Sequence, residues 1–163
     1  MIKKVVNKED VDKVVSLADE IWREHYTAII GSAQVDYMLD KFQSARAIKD
    51  QIEEGYLYFL LGDGAKPIGY FAVQPKRKEG ELFLSKFYIR RSSRGRGRGR
   101  EALSFMEELA KKNSLAKIGL TVNKSNIFAI ARYEKMGFKK TASPVTDIGG
   151  VFVMDDYRME KAL

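Results

Sequence analysis

Apolar positions along the chain change period twice, and the changes divide it into three stretches. Residues 2–6 (IKKVV) predict a short first strand. Asn7, with Asp10 three positions on, predicts a helix cap with an acidic group in the first turn. Val11, Val14, Val15, Ala18, Ile21 and Trp22 then recur at helical spacing to about Tyr26. Gly31-Ser32 interrupts. Ser32 can cap a second helix bearing Val35, Met38, Leu39 and Phe42, and Ser44 a third, with Ala47, Ile48 and Ile52, ending at Gly55.

From Tyr56 the period falls to two. YLYFLL at 56–61, a GDGAKP turn and IGYFAVQ at 68–74 read as a hairpin, and a KRKEG turn leads to a third strand at 81–89. After Arg90–Arg100 the helical period returns at Ala102, Leu103, Phe105, Met106, Leu109 and Ala110. KIGLTV at 117–122 predicts a strand and Ser125–Met136 a helix, closed by Gly137 as a left-handed cap. Strands at about 138–142 and 151–160 finish the chain. Helices between single strands imply crossovers and parallel pairing, whereas hairpins imply antiparallel pairing. The expected α/β architecture is one mixed, mostly antiparallel sheet with helices on both faces. With no linker or repeat, residues 1–163 are expected to form a single domain.

Composition narrows the chemistry. The absence of cysteine excludes disulfides, thiolate catalysis and Cys-based zinc sites, and a single histidine, His25, argues against a His-rich metal centre. No metal is expected. No window approaches the about 18 uninterrupted apolar residues of a membrane span. The N-terminus turns acidic within ten residues and does not read as a secretory leader. The expectation is a soluble cytoplasmic protein with no membrane partner.

The net charge of +7 is local. Arg90, Arg91, Arg94, Arg96, Arg98 and Arg100 lie in one segment, RRSSRGRGRGR, and without them 23 basic side chains face 22 acidic ones. Broad nucleic-acid coating calls for spread charge; one anionic group held in one place calls for this concentration. Between a strand and a helix, Gly95, Gly97 and Gly99 let the backbone turn tightly and approach a ligand. Successive N–H groups at a helix start favour an anion, and arginine adds charge-assisted contacts to phosphate oxygens. The expected ligand is a phosphate or pyrophosphate ester. A P-loop does not fit, because Gly99 precedes Arg100-Glu101, and GxGxG is a poor dinucleotide fingerprint. An RGG-type nucleic-acid segment is the alternative; such segments lie in disordered tracts, unlike this one.

With its surroundings this segment resembles the GCN5-related N-acetyltransferase superfamily. Arg94, Gly97 and Gly99 match one half of its signature, after a strand ending FYI. Leu120-Thr121-Val122, Asn126, Ala129, Tyr133 and Gly137-Phe138 match the other half, and VFVMDDYRMEK is similar to a C-terminal strand of bacterial members. The resemblance covers about 68–161; residues 7–55 correspond in outline to the variable substrate side.

The resemblance implies the acyl-CoA N-acyltransferase fold, acetyl-coenzyme A as donor and a primary amine as acceptor. Backbone N–H groups of Arg96–Gly99, with Gly95 and Arg100, would hold the pyrophosphate. Phe87, Tyr88 and Ile89 would pair with the pantetheine arm like an added strand, with the next strand diverging there, and Asn126 and Ala129 would line the cofactor. Tyr133 would be the general acid. Glu81 and Glu24 are the candidate carboxylates for removing the amine's proton. Trp22, Tyr26, Tyr37 and Asp156 are the candidate acceptor contacts. The acceptor is expected to be a small molecule, such as a polyamine, with a protein N-terminus or lysine as the alternative. The assembly is expected to be a monomer or homodimer that binds no nucleic acid.

Overall fold

The computed structural model describes residues 1–63 and 66–163. The tip of the expected GDGAKP turn, residues 64–65, lies outside the described residues. The elements are β1 (Ile2–Lys4), α1 (Lys8–Ile30), α2 (Ser32–Phe42), α3 (Ala45–Glu53), β2 (Leu57–Asp63), β3 (Lys66–Lys76), β4 (Glu81–Ile89), α4 (Arg98–Lys112), β5 (Lys117–Asn123), α5 (Ile127–Lys135), β6 (Lys139–Ala142), β7 (Val145–Gly149) and β8 (Phe152–Ala162). The fold is a mixed, mostly antiparallel sheet with helices on both faces. Backbone packing divides the chain into two compact units, Met1–Gln74 with Lys86–Leu103, and Pro75–Ser85 with Ser104–Leu163.

In the first unit, β2 pairs antiparallel with β1 and β3. Asn7 caps α1 as expected: its side chain accepts the Asp10 N–H, while the Asp10 carboxylate accepts from Lys3 Nζ at 2.7 Å and the Val6 N–H at 3.2 Å. The Lys3 hydrogen bond holds the Asp10 carboxyl below the usual carboxylate range. The apolar stripe of α1 buries Val11, Val14, Leu17, Ala18, Ile21 and Trp22. It meets a core containing Ile48, Tyr58, Leu61, Tyr70 and Phe71, where each large apolar side chain contributes about 1.5–3 kcal/mol.

In the second unit, β5 pairs parallel with β4 and antiparallel with β8, which also carries β6 and β7. Leu82, Met106, Ala110, Ile118, Leu120 and Met159 form its core.

Three local expectations need correction. Helix α1 runs past Tyr26 to Ile30, because a chain already in helix needs a breaker, which Gly31 at φ 84° supplies. Ser32 does not cap α2; it is the first helical residue, and Gly31 occupies the cap position with no side chain to offer. The chain ends in three strands rather than two, since Val145–Gly149 pairs with β8. Its neighbours Pro144 and Gly149-Gly150 read as loop punctuation and concealed it.

Candidate active site

The first unit carries the arginine–glycine loop. β3 and β4 come unusually close before it. The Arg90 N–H donates to Ile68 O at 2.8 Å, and a Cβ on Gly69 would run into the Tyr88 carbonyl oxygen and, at 3.0 Å, Ile89 Cα. The β4–β5 ladder ends at the Leu84–Leu120 pair, whereas β4 continues five residues further, through Phe87, Tyr88 and Ile89. Phe87 turns its ring into the core against Phe71, 6.2 Å between centroids, so its backbone is the part that can serve a ligand.

Beyond Ile89 the chain makes a 3-10 turn at Arg91–Ser93, and Arg94 Nε donates back to Ile89 O at 3.0 Å. Gly95 and Gly97 take φ of 76° and 74°, and a Cβ on either would meet nothing within 4 Å. Glycine is needed there for the left-handed turn, and the space above it is open. The first helical bond of α4 runs from the Glu101 N–H to Gly97 O. The N–H groups of Gly99 and Arg100 precede it in the first turn of α4, where a helix has no intrahelical carbonyl one turn back. Left-handed turns feeding an unsatisfied helix start make a concavity of donors suited to phosphate oxygens.

The six arginines divide by task. Arg90 grips Glu20 and Pro67 O, Arg94 closes the loop, and Arg98 binds Glu101 at 3.0 Å. That last bond, with the amino terminus 3.3 Å away, holds the Glu101 carboxyl below its ordinary range. Arg91, Arg96 and Arg100 are exposed.

On the same unit the expected acceptor residues Trp22 and Tyr26 come together with Tyr88. Ring centroids lie 4.3 Å apart for Trp22–Tyr26, 5.5 Å for Trp22–Tyr88 and 6.2 Å for Tyr26–Tyr88. His25 stands edge-on to Tyr26. Tyr37 is on α2 with Lys41 Nζ 5.6 Å from its ring centre, and Glu24 is exposed on α1. Sequence reasoning missed Lys86. It is only 5% exposed, and its nitrogen donates to Phe42 O, to Gln51 Oε1 at 3.0 Å and to the Tyr58 hydroxyl at 2.6 Å. Burial pushes its pKa down to about 7. The signal was available: Lys86 shares strand parity with Leu82 and Leu84, both buried.

The second unit carries the other half of the expected site. Asn126 is buried as the cap of α5, accepting the Ala129 N–H at 3.4 Å. Tyr133 is half-buried on that helix with its ring 5.5 Å from Phe138. Glu81, 2% exposed, is ion-paired with Arg158, which also binds Glu160 at 3.2 Å. Gly119 is glycine for this reason: a Cβ would strike the Glu81 carboxylate. Asp156, 5% exposed, sits opposite Asn123 in the β5–β8 ladder. Burial, reinforced by Asp155 and eased by Lys124, raises its pKa to about 6.

The Acetyltransferase (GNAT) family model matches residues 15–138, most of the chain, and the chain belongs to that family. No curated protein matches its sequence. Among solved structures, it is similar to the PaiA N-acetyltransferase from Thermoplasma acidophilum in complex with coenzyme A, with 20% identity over 100% of this chain and 99% of that one and a TM-score of 0.80. A GCN5-related N-acetyltransferase from Rhodopseudomonas palustris gives 13% identity, 100% and 95% coverage and a TM-score of 0.83. A ribosomal-protein-alanine N-acetyltransferase from Brucella melitensis gives 16%, 100% and 99%, and 0.68. At these identities the likeness establishes the fold. The two halves of the signature are thus those of an acetyltransferase family member, and no helix among the described residues is long and apolar enough to cross a membrane.

Proposed function

We propose that this chain transfers the acetyl group of acetyl-CoA directly to a primary amine of a small molecule. The observation that carries the reading is the loop: Gly95 and Gly97 in left-handed conformation, with open space where a Cβ would be, lead directly into the N-terminal turn of α4. The N–H donors of that turn fit a diphosphate ester, and the neighbour from Thermoplasma acidophilum holds coenzyme A. Acetyl-CoA supplies an activated thioester when bound.

The chain's own residues do the rest. Backbone donors from Gly95 to Arg100 hold the diphosphate, and the backbone of Phe87–Ile89 receives the pantetheine arm as an added strand. Asn126 and Ala129 belong to the cofactor side. A β4 N–H near Tyr88 polarises the carbonyl as charge builds on its oxygen. Tyr133 hands its phenolic proton to the departing sulfur.

An aliphatic ammonium has a pKa of about 10.4, so about one molecule in a few thousand is a competent nucleophile at neutral pH, and a carboxylate must take its proton. Of the expected bases, Glu24 is exposed and Glu81 is held by Arg158. The half-buried rings of Tyr26 and Tyr88, backed by the buried Trp22, suit an ammonium through cation–π attraction, which favours a cationic small-molecule amine over a neutral one. The test is acetyl-CoA consumption across polyamines, amino acids, aminoglycosides and short peptides. Turnover with at least one amine supports the reading, and turnover with none overturns it.

A further inference from the structure

We infer that Lys86 is a proton-controlled latch: its neutral amine holds the α2–α3 connection against the sheet, and a proton taken up on its nitrogen loosens that connection. The inference goes beyond the acetyltransferase reading and does not rest on it. Every group it uses lies in the first unit. Lys86 is on β4, and its nitrogen donates to Phe42 O at the end of α2, to Gln51 Oε1 on α3 and to the Tyr58 hydroxyl on β2. Gln51 Nε2 also donates to Phe42 O, at 3.1 Å, so both sides of the connection meet at this nitrogen. From β3, the Tyr70 hydroxyl donates to Gln43, the residue that follows α2.

These partners suit either protonation state. An ammonium gives one proton to each oxygen, while Tyr58 gives its own to Gln51. A neutral amine gives two protons, to Phe42 O and Gln51 Oε1, and takes the Tyr58 proton on its lone pair once that hydroxyl turns. The nitrogen is fully bonded in both states, and what differs is a buried charge. All its partners are neutral, and an uncompensated charge in a buried site is costly. Hydrating the nitrogen relieves that cost. Lys86 and Tyr58 are fixed on sheet strands, so the short helices α2 and α3 are the side that gives way.

Among the described residues no carboxylate pairs with Lys86. The charged side chains of α2 (Asp36, Asp40, Lys41) and α3 (Arg46, Lys49, Asp50, Glu53) are exposed. Tyr58 from β2 and Tyr70 from β3 are the titratable groups that face this core, and burial above all raises both, so they stay neutral. Burial lowers the Lys86 pKa to about 7, and opening returns it toward the ordinary 10.5. The closed form therefore binds fewer protons than the open one, and closure strengthens as pH rises from about 7. Acid releases the latch.

The test is amide exchange on the whole chain from about pH 6 to 9, each rate taken relative to the unprotected rate at that pH. In wild type, protection at residues 39–51 should rise about tenfold per pH unit above about 7. It should also stay about tenfold or more below that of Val14–Ile21 in α1, because the connection opens without the rest of the unit. Lys86→Met should flatten the rise. Protection at 39–51 that ignores pH in wild type, that equals the α1 value throughout, or that still rises in Lys86→Met overturns the latch. Where Lys86→Met does not fold, the wild-type comparison of the two segments decides alone.

Discussion

The side-chain nitrogen of Lys86 lies 2.6 Å from the Tyr58 hydroxyl, which in turn donates to Gln51, so a lysine is solvated inside the first unit by neutral oxygens. The third oxygen, Phe42 O, belongs to the last residue of α2, where helix carbonyls lack intrahelical partners. Lys86 thereby ties the α2–α3 connection to the sheet, and Gln43 adds a second tie by accepting from the Tyr70 hydroxyl at 3.0 Å.

This buried lysine makes stability depend on pH in a defined direction. Its pKa is about 7 in the folded chain against an ordinary 10.5. Between those values the unfolded chain binds more protons, so stability rises with pH across that window and is lowest below about 7. Denaturant melts from pH 6 to 10 should show this slope in wild type and a flatter profile in Lys86→Met. Parallel profiles would contradict the assignment.

Gly69→Ala should be the most damaging glycine substitution near the loop. The added methyl meets backbone, the Tyr88 carbonyl and Ile89 Cα, which cannot turn aside as a flexible side chain can. Overpacking of this kind costs about 1–3 kcal/mol. A lower denaturant midpoint together with weaker coenzyme A binding is expected, because the displaced strand is the one assigned to the pantetheine arm.

Gly97→Ala and Gly55→Ala separate strain from binding. Both positions have positive φ, 74° and 101°, and open space for a methyl. Each substitution should cost about 1–2 kcal/mol of stability. Calorimetry should show coenzyme A affinity falling about tenfold or more for Gly97→Ala and staying within about twofold for Gly55→Ala.

Tyr133→Phe keeps the ring that packs near Phe138 and removes only the hydroxyl. Loss of a general acid should lower kcat by about 10²–10⁴-fold, with coenzyme A binding within about twofold of wild type. An unchanged kcat would assign Tyr133 to packing alone.

Local signals were the readable ones. The Asn7 and Ser44 caps, the hairpin and the left-handed turn at Gly137 depend on residues close in sequence, and the structure has each of them. The loop was legible because six arginines and alternating glycines between a strand and a helix are a local pattern. What escaped depends on distant partners. Glu81 reads as a candidate base, and its ion pair with Arg158, 77 residues away on β8, has no local signal. Lys86 reads as a strand-face charge until Phe42, Gln51 and Tyr58 surround it. β7 was hidden because its pairing is supplied by β8 rather than by its own alternation.

The central claim is that backbone donors of the arginine–glycine loop hold the diphosphate of coenzyme A. Amide hydrogen exchange with and without coenzyme A tests it most directly. The account predicts slowed exchange at Gly95–Arg100 and at Phe87–Ile89, with the loop's protection lost in Gly97→Ala at equal ligand concentration. Unchanged exchange at Gly95–Arg100 under saturating coenzyme A would contradict it.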